Sequence, residues 1–156
     1  MVAEEWEPQA EVAAERSLRR TAEIGAPPEK VWQVVGDFQS LGDWHPSVPP
    51  AEREVGPDGG EFRVFRLGGQ EVARERLVAR DDAERRYSYA IVDPFLAISD
   101  YVATLAVLPA AGGSRVEWTA TYRAHTAEAV AQVEEIFGDG TYGAGLEALR
   151  ERFAGG

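Results

Sequence analysis

Two side chains of opposite charge, Arg63 and Glu75, can meet across a predicted β-hairpin and could together bind or move a proton. Glu75 shares a strand face with the apolar residues two positions to either side, and we expect that face to point inward. A three-residue loop at Gly68–Gln70 places Arg63 opposite Glu75 and beside Phe65, whereas a two-residue loop pairs Phe62 with Glu75. An arginine–carboxylate pair at an apolar cavity could anchor the polar end of a ligand or act in acid–base steps. The alternative is a purely structural ion pair at the cavity edge.

A second group of candidates is aromatic. Rings with polar tips suit flat, partly oxygenated ligands, because they can stack on the ligand and also hydrogen-bond to it. We expect part of this group to line a pocket and the rest to form ordinary core. The candidate substrate-binding residues are Trp44, Phe65, Tyr87, Tyr89, Tyr101, Trp118, Tyr122, Phe137 and Tyr142.

The elements that must position these groups begin after an acidic N-terminal extension, which we assign to residues 1–16. The remaining residues, 17–156, are predicted to form one ligand-binding domain, because a chain of this length can bury a sizeable core. Ser17–Ile24 alternates as a strand does, and Ala26–Pro46 then reads as a loop, an amphipathic helix and a second, shorter helix. Six more runs are predicted as strands: Ala51–Val55, Glu61–Leu67, Gln70–Ala79, Arg85–Val92, Ile98–Leu108 and Arg115–Ala124.

A long helix is predicted from Thr126 to the region of Phe153, and the run GDGTYGAG interrupts its apolar pattern. Glycine costs about 1 kcal/mol in a helix interior relative to alanine, so these glycines need a physical reason. Either the helix breaks into two, or another part of the molecule approaches its backbone closely.

Composition excludes several classes of function. The chain contains no cysteine and two histidines, so disulfides and thiolate chemistry are excluded and no metal site is expected. A net charge of −11 disfavours nucleic acid as a partner. Neither a signal peptide nor a stretch long enough for membrane insertion is present, which predicts a cytoplasmic protein. No phosphate-binding or dinucleotide-binding glycine motif occurs, so no cofactor is expected.

The predicted order of elements is strand, two short helices, six strands and a long helix, which describes an α+β domain. A meander of about seven antiparallel strands twists and curves, and the C-terminal helix is the element large enough to cover its concave face. A strongly curved sheet rarely fills its interior completely, so we expect a ligand cavity between sheet and helix.

The chain also resembles the START-like (SRPBCC) superfamily, specifically its polyketide cyclase/dehydrase branch. The residues that carry the resemblance are P-x-x-x-V-W at Pro27–Trp32, D-F-x-x-L-x-x-W-H-P at Asp37–Pro46, E-R-L at Glu75–Leu77, Y-S-Y at Tyr87–Tyr89, Tyr101, V-x-W at Val116–Trp118 and Y-G-x-G-L-x-x-L at Tyr142–Leu149. The resemblance implies a helix-grip fold whose deep cavity holds hydrophobic ligands. Members of that superfamily include aromatase/cyclases, lipid carriers and hormone receptors.

The resemblance also places Trp44 and His45 at the cavity mouth, where a histidine could shuttle protons or only hydrogen-bond locally. Our first hypothesis is a cyclase, aromatase or dehydratase for a polyketide-like substrate, with Glu75, Arg63 and His45 as catalytic residues. The alternative is a non-catalytic carrier or sensor of a lipid or aromatic metabolite. The expected partner is therefore a hydrophobic or aromatic small molecule, and a homodimer stays open.

Overall fold

Seven antiparallel strands form one sheet in the computed structural model, which describes residues 15–154. The strands are β1 (Glu15–Ile24), β2 (Ala51–Val55), β3 (Glu61–Leu67), β4 (Gln70–Asp81), β5 (Arg86–Ile91), β6 (Ile98–Ala110) and β7 (Gly113–Ala124). They lie in the order β1-β7-β6-β5-β4-β3-β2, so that β1 pairs with the last strand and the others follow as a meander. Of the predicted extension, residues 1–14 lie outside the described residues, while Glu15 and Arg16 already belong to β1.

Short helices follow β1, as predicted. Helix α1 (Pro28–Val35) begins with a proline, which suits a first helical position because its missing N–H needs no partner there. A 3₁₀ turn (Phe38–Ser40) comes next, and the Asp37 carboxylate caps it by accepting a hydrogen bond from the Gln39 amide at 2.9 Å. Helix α2 (Leu41–Trp44) ends the segment. Its buried side chains join the core that lies on the concave face of the sheet.

The C-terminal helix runs without a break from residue 127 to residue 152. It consists of α3 (Ala127–Gln132), a π-helical stretch (Val133–Gly143) and α4 (Ala144–Arg152). Thr126 caps its start by accepting a hydrogen bond from the Ala129 amide at 3.0 Å. Of the two explanations for the glycines, the helix break is wrong, and close approach is the one that the structure shows.

Two glycines of this helix lie directly against other elements. A Cβ atom on Gly145 would lie 2.7 Å from Cδ2 of His45 and 3.2 Å from the Trp118 ring. A Cβ atom on Gly138 would lie 2.5 Å from the guanidinium of Arg20 on β1. The missing side chains let the helix lie close to the sheet, and Gly138 is part of the wider π-helical turns.

The predicted helix-grip architecture is confirmed: a curved antiparallel sheet holds a long C-terminal helix, with short helices after the first strand. Large side chains, including Trp118, Leu105 and Leu149, are fully buried between the two layers. Within residues 15–154, no helix has both the length and the apolar character needed to cross a bilayer.

Candidate functional site

A cavity of about 230 Å³ lies between the sheet, the C-terminal helix and the loop after α2. Its wall is mostly apolar and is formed by Leu41, Ser47, Val48, Pro49, Phe65, Leu67, Val72, Ala73, Glu75, Tyr89, Ile91, Tyr101, Phe137, Thr141 and Tyr142. A groove of about 400 Å³ between α1 and β4 is larger, but it is somewhat more open to solvent and its lining is more polar. The cavity is the better candidate, because its wall is mostly apolar and a few polar groups converge on it.

Glu75 is the charged side chain of the cavity wall. Its Oε1 atom accepts a 2.6 Å hydrogen bond from Nε of Arg63, which lies behind the wall and is completely buried. The Glu75 side chain keeps 13% of its surface exposed. The ion pair therefore presents its negative partner to the cavity and keeps its positive partner inside the protein.

The register that joins these two residues comes from a tight turn followed by a β-bulge. Leu67 pairs with Gln70, so the turn has two residues, Gly68 and Gly69, both with positive φ. The register then shifts by one residue before Phe65, which pairs with Ala73 and leaves Val72 unpaired on β4.

Of the two loop lengths considered, the structure has the two-residue turn, yet the pairing of Arg63 with Glu75 that was deduced from the three-residue loop is the one found. The bulge restores the register that the shorter turn would have changed, and Arg63 pairs with Glu75. The sequence of the turn alone could not distinguish these two routes.

Aromatic rings surround the Arg63 guanidinium. Its central carbon lies 4.3 Å from the centre of the Phe38 ring and 4.5 Å from that of Tyr89. Nη1 donates hydrogen bonds to the Phe38 carbonyl at 2.9 Å and to the Tyr87 hydroxyl at 3.2 Å. Burial alone would lower the pKa of Arg63, but the charge of Glu75 and the neighbouring phenol oxygens reverse this and raise it. Arg63 therefore stays charged and holds the Glu75 carboxylate in place.

Three tyrosine hydroxyls form a second polar group on the wall. The Tyr89 hydroxyl accepts a 3.0 Å hydrogen bond from Nε1 of Trp118. The hydroxyls of Tyr101 and Tyr142 are hydrogen-bonded to each other. The Tyr142 ring stacks on Trp118 with ring centres 4.4 Å apart. Burial raises the pKa of all three phenols, so they stay protonated and act as hydrogen-bond donors.

His45 lies behind the cavity wall, and both of its ring nitrogens are engaged. Nε2 lies 2.7 Å from the Thr141 carbonyl, to which it must donate, and Nδ1 accepts a 3.0 Å hydrogen bond from the Ser47 amide. Burial lowers the pKa of His45, and the Thr141 carbonyl offsets part of that effect. Nothing in this geometry supports the predicted proton transfer by His45. Instead it ties together two segments, at Ser47 and Thr141, that line the cavity.

The nine aromatic candidates divide into two layers. Those that line the cavity are Phe65, Tyr89, Tyr101, Phe137 and Tyr142. The other four pack behind them: Trp118 under Tyr142, Trp44 against Trp118, Tyr122 against Tyr101, and Tyr87 against Arg63.

Sequence reasoning missed one side of the wall, formed by Leu41 and Ser47–Pro49. The only signal for it was the proline-rich run PSVPP, which stiffens the chain where it crosses the cavity. Within residues 15–154, no group of three acidic or histidine side chains is placed to hold a metal ion.

Comparisons with known proteins agree with this architecture. A family model described as polyketide cyclase / dehydrase and lipid transport matches residues 15–154. A protein from Thermobifida fusca, solved by solution NMR, is 38% identical with a TM-score of 0.78, over 88% of this chain and 92% of that one. The XoxI protein from Bacillus cereus is 26% identical with a TM-score of 0.69, over 91% and 96% of the two chains. Truncated norcoclaurine synthase from Thalictrum flavum is 20% identical with a TM-score of 0.67, over 92% and 96%, which shows a shared fold.

Proposed function

Since this chain belongs to the polyketide cyclase/dehydrase and lipid transport family, whose members bind hydrophobic ligands, we propose that it transforms such a ligand as a cyclase or dehydratase. The observation that carries the proposal is the carboxylate of Glu75 at the wall of an aromatic cavity, held by a buried Arg63. A cavity that only stores an apolar molecule has no need for such a pair.

The ion pair supports a role for Glu75 in proton transfer. Arg63 balances its charge and fixes its position, so the carboxylate can accept a proton from a bound molecule without moving. The wall can orient the ligand, which lets reacting groups within one flexible molecule meet. In this proposal Arg63 is a positioning residue, because it contacts Glu75 and not the cavity.

The cavity's volume limits the ligand. Pockets for drug-sized molecules measure about 300–1,000 Å³, so 230 Å³ is small for a ligand site. A cavity of about 150 Å³ is known to bind benzene. We therefore infer that the ligand has one or two rings.

The second candidate function is a carrier or sensor that binds an aromatic metabolite or lipid unchanged. The mostly apolar wall favours it, because Glu75 is the one ionisable carboxylate among the lining residues that the structure describes. The two functions differ in whether the bound compound changes its mass or structure.

The test is to incubate the protein with an organic extract of its source organism and to follow compound masses over time. The control must remove both charges together, because a single Glu75→Gln change leaves the buried charge of Arg63 unbalanced, at a cost of about 3–5 kcal/mol. We therefore pair the wild type with the double variant Arg63→Met/Glu75→Gln, and check that it unfolds cooperatively.

An enzyme will consume one compound and form another of equal mass or one water lighter, and the double variant will not. A compound that is retained by the protein with unchanged mass, and by both forms, supports the carrier. If neither form retains or changes any compound, the assignment of the cavity as the functional site is wrong.

A further inference from the structure

Trp118 holds the hydroxyl of Tyr89 in one place on the cavity wall. The indole is completely buried and stacks on the Tyr142 ring with ring centres 4.4 Å apart, which fixes its orientation. Its Nε1 atom donates a 3.0 Å hydrogen bond to the Tyr89 hydroxyl. An indole nitrogen donates and never accepts, so the Tyr89 oxygen is the acceptor of this bond.

The proton of Tyr89 is left without an acceptor. Within residues 15–154, the bond from Trp118 is the one hydrogen bond that the structure gives this hydroxyl. Tyr89 is 2% exposed and lines the cavity, so the cavity is the place where its proton can meet a partner. A buried donor without a partner costs free energy, which a ligand with an acceptor atom would recover.

The neighbouring pair of phenols does not remove this donor. The hydroxyls of Tyr101 and Tyr142 are hydrogen-bonded to each other, and a bond between two hydroxyls uses one proton and leaves one over. If Tyr89 turned its proton towards the Tyr142 oxygen, the pair would still have that one proton unused. The wall therefore always presents at least one hydroxyl donor, and Tyr89 is the phenol whose oxygen already accepts a bond of known direction.

Strand register places this donor beside Glu75. Tyr89 on β5 pairs with Leu77 on β4, and Glu75 lies two residues from Leu77 on the same strand face. Such diagonal neighbours have Cβ atoms within about 8 Å of each other. The Arg63 guanidinium contacts both, since Nε donates to Glu75 at 2.6 Å and its central carbon lies 4.5 Å from the centre of the Tyr89 ring. A neutral donor and a carboxylate thus share one side of the wall.

We propose that the ligand of this cavity is a compact carbonyl compound, a ketone or an aldehyde, whose oxygen accepts a hydrogen bond from Tyr89. A carbonyl oxygen accepts and never donates, so it suits the Tyr89 proton and not the carboxylate of Glu75. A ligand hydroxyl would instead donate to Glu75, because hydrogen bonds to an ionised acceptor are stronger. This inference rests on the proposed function, because it assumes the same cavity, but it concerns binding and requires no reaction.

The test compares 2-tetralone with tetralin, which has the same two rings and lacks the carbonyl oxygen. The dissociation constant of each is measured by tryptophan fluorescence in wild type and in Tyr89→Phe. The quantity compared is the ratio of the two constants, because differences in ligand hydration are the same for both proteins and cancel. The carbonyl stretching frequency of bound 2-tetralone is recorded separately by infrared spectroscopy.

We expect the preference for the ketone over tetralin to fall about tenfold in Tyr89→Phe, through loss of one hydrogen bond, with the affinity for tetralin almost unchanged. The carbonyl stretch will lie at lower frequency in wild type than in Tyr89→Phe, because a hydrogen bond weakens the C=O bond. The matched control is Ser88→Ala, which removes a hydroxyl bonded to Thr104 at 2.7 Å on the other face of β5. It will keep the wild-type ratio and frequency.

Three results overturn the inference. One is an equal ketone preference in wild type and Tyr89→Phe. Another is a carbonyl stretch in wild type that matches 2-tetralone in cyclohexane, a comparison that needs no variant. The third is loss of the preference in Tyr101→Phe but not in Tyr89→Phe, since the tyrosine pair then supplies the donor. If wild type binds tetralin but not 2-tetralone, the inference fails and the proposed cavity stands. If it binds neither, the proposed function fails as well.

Discussion

His45 shows how a residue that could do chemistry can instead support the wall of a site. Its two ring nitrogens form hydrogen bonds with the Ser47 amide and the Thr141 carbonyl. These two residues belong to different segments of the chain, and both line the cavity. This arrangement requires the neutral ring with its proton on Nε2, because Nδ1 accepts from the Ser47 amide. Protonation of Nδ1 would turn two donors towards each other and break that bond.

The lowered pKa of His45 predicts a pH dependence of stability. Burial disfavours the charged ring, so the folded protein binds fewer protons at this site than the unfolded chain, whose histidine has a pKa near 6.5. The contribution of His45 to stability is therefore complete above about pH 6.5 and is lost progressively as the pH falls towards the lower, folded-state pKa. Urea unfolding at pH 7.5 and 5.5 measures the loss.

The control for this prediction is His45→Asn, whose side-chain oxygen can accept from the Ser47 amide but does not titrate. We expect its free energy of unfolding to fall less between the two pH values than that of wild type. An equal fall in both proteins would show that other groups cause the pH dependence.

Residue types and strand parity, with one of the two loop lengths considered, predicted the pairing of Arg63 with Glu75, because charged groups on an inward face are informative. They could not reveal the ring cage around Arg63. Phe38 comes from the segment after α1 and Tyr87 from β5, and contacts between such distant elements depend on how the sheet curves. For the same reason the sequence could not separate the aromatic residues of the wall from those behind it.

At the scale of elements, the hairpin and the C-terminal helix show what local sequence leaves open. The glycine pair marked the turn between β3 and β4, but the bulge at Val72 depends on the pairing of whole strands. The glycines of the helix marked a special place, and only the packing against His45 and Trp118 shows why Gly145 is needed.

Two helix glycines should respond in opposite ways to alanine. In Gly145→Ala the new Cβ meets rigid rings at 2.7–3.2 Å, so we expect a loss of about 1–3 kcal/mol in the free energy of unfolding. In Gly140→Ala the nearest atom is the Glu135 carbonyl oxygen at 3.5 Å, an ordinary contact. Higher helix propensity should then stabilise this variant by up to about 1 kcal/mol.

Chemical denaturation of both variants measures this contrast. Gly140→Ala is the matched control, since it adds the same methyl group to the same helix. Similar stability changes in the two variants would mean that helix propensity, and not close packing, decides the effect at Gly145.

For the whole molecule, the sequence could predict the order of strands and helices and the family they resemble. It could not predict the size of the cavity, which is the space left after side chains from the sheet, the C-terminal helix and the loop after α2 have packed. Tyr142 stacks against Trp118 and fills part of the space between the layers, while Phe137 reaches across towards Tyr101 with ring centres 5.2 Å apart. Such contacts decide whether the site admits one ring or several.

The cavity's volume predicts a sharp limit on ligand size. Acetophenone and 2-tetralone should bind, and at one hundred times its dissociation constant either ketone should stabilise the protein by about 2.7 kcal/mol. Anthrone, which has three fused rings, should give no stabilisation, because comparison with benzene in a cavity of about 150 Å³ leaves room for two rings and not three in 230 Å³. Phe137 lies on the wall and is only partly buried, so Phe137→Ala should open space for the third ring without unfolding the protein. Thermal unfolding with each ketone tests this: anthrone should raise the unfolding temperature of the variant and not that of wild type. Stabilisation of wild type by anthrone would show that the wall moves to admit larger ligands, and that the static volume does not set the substrate.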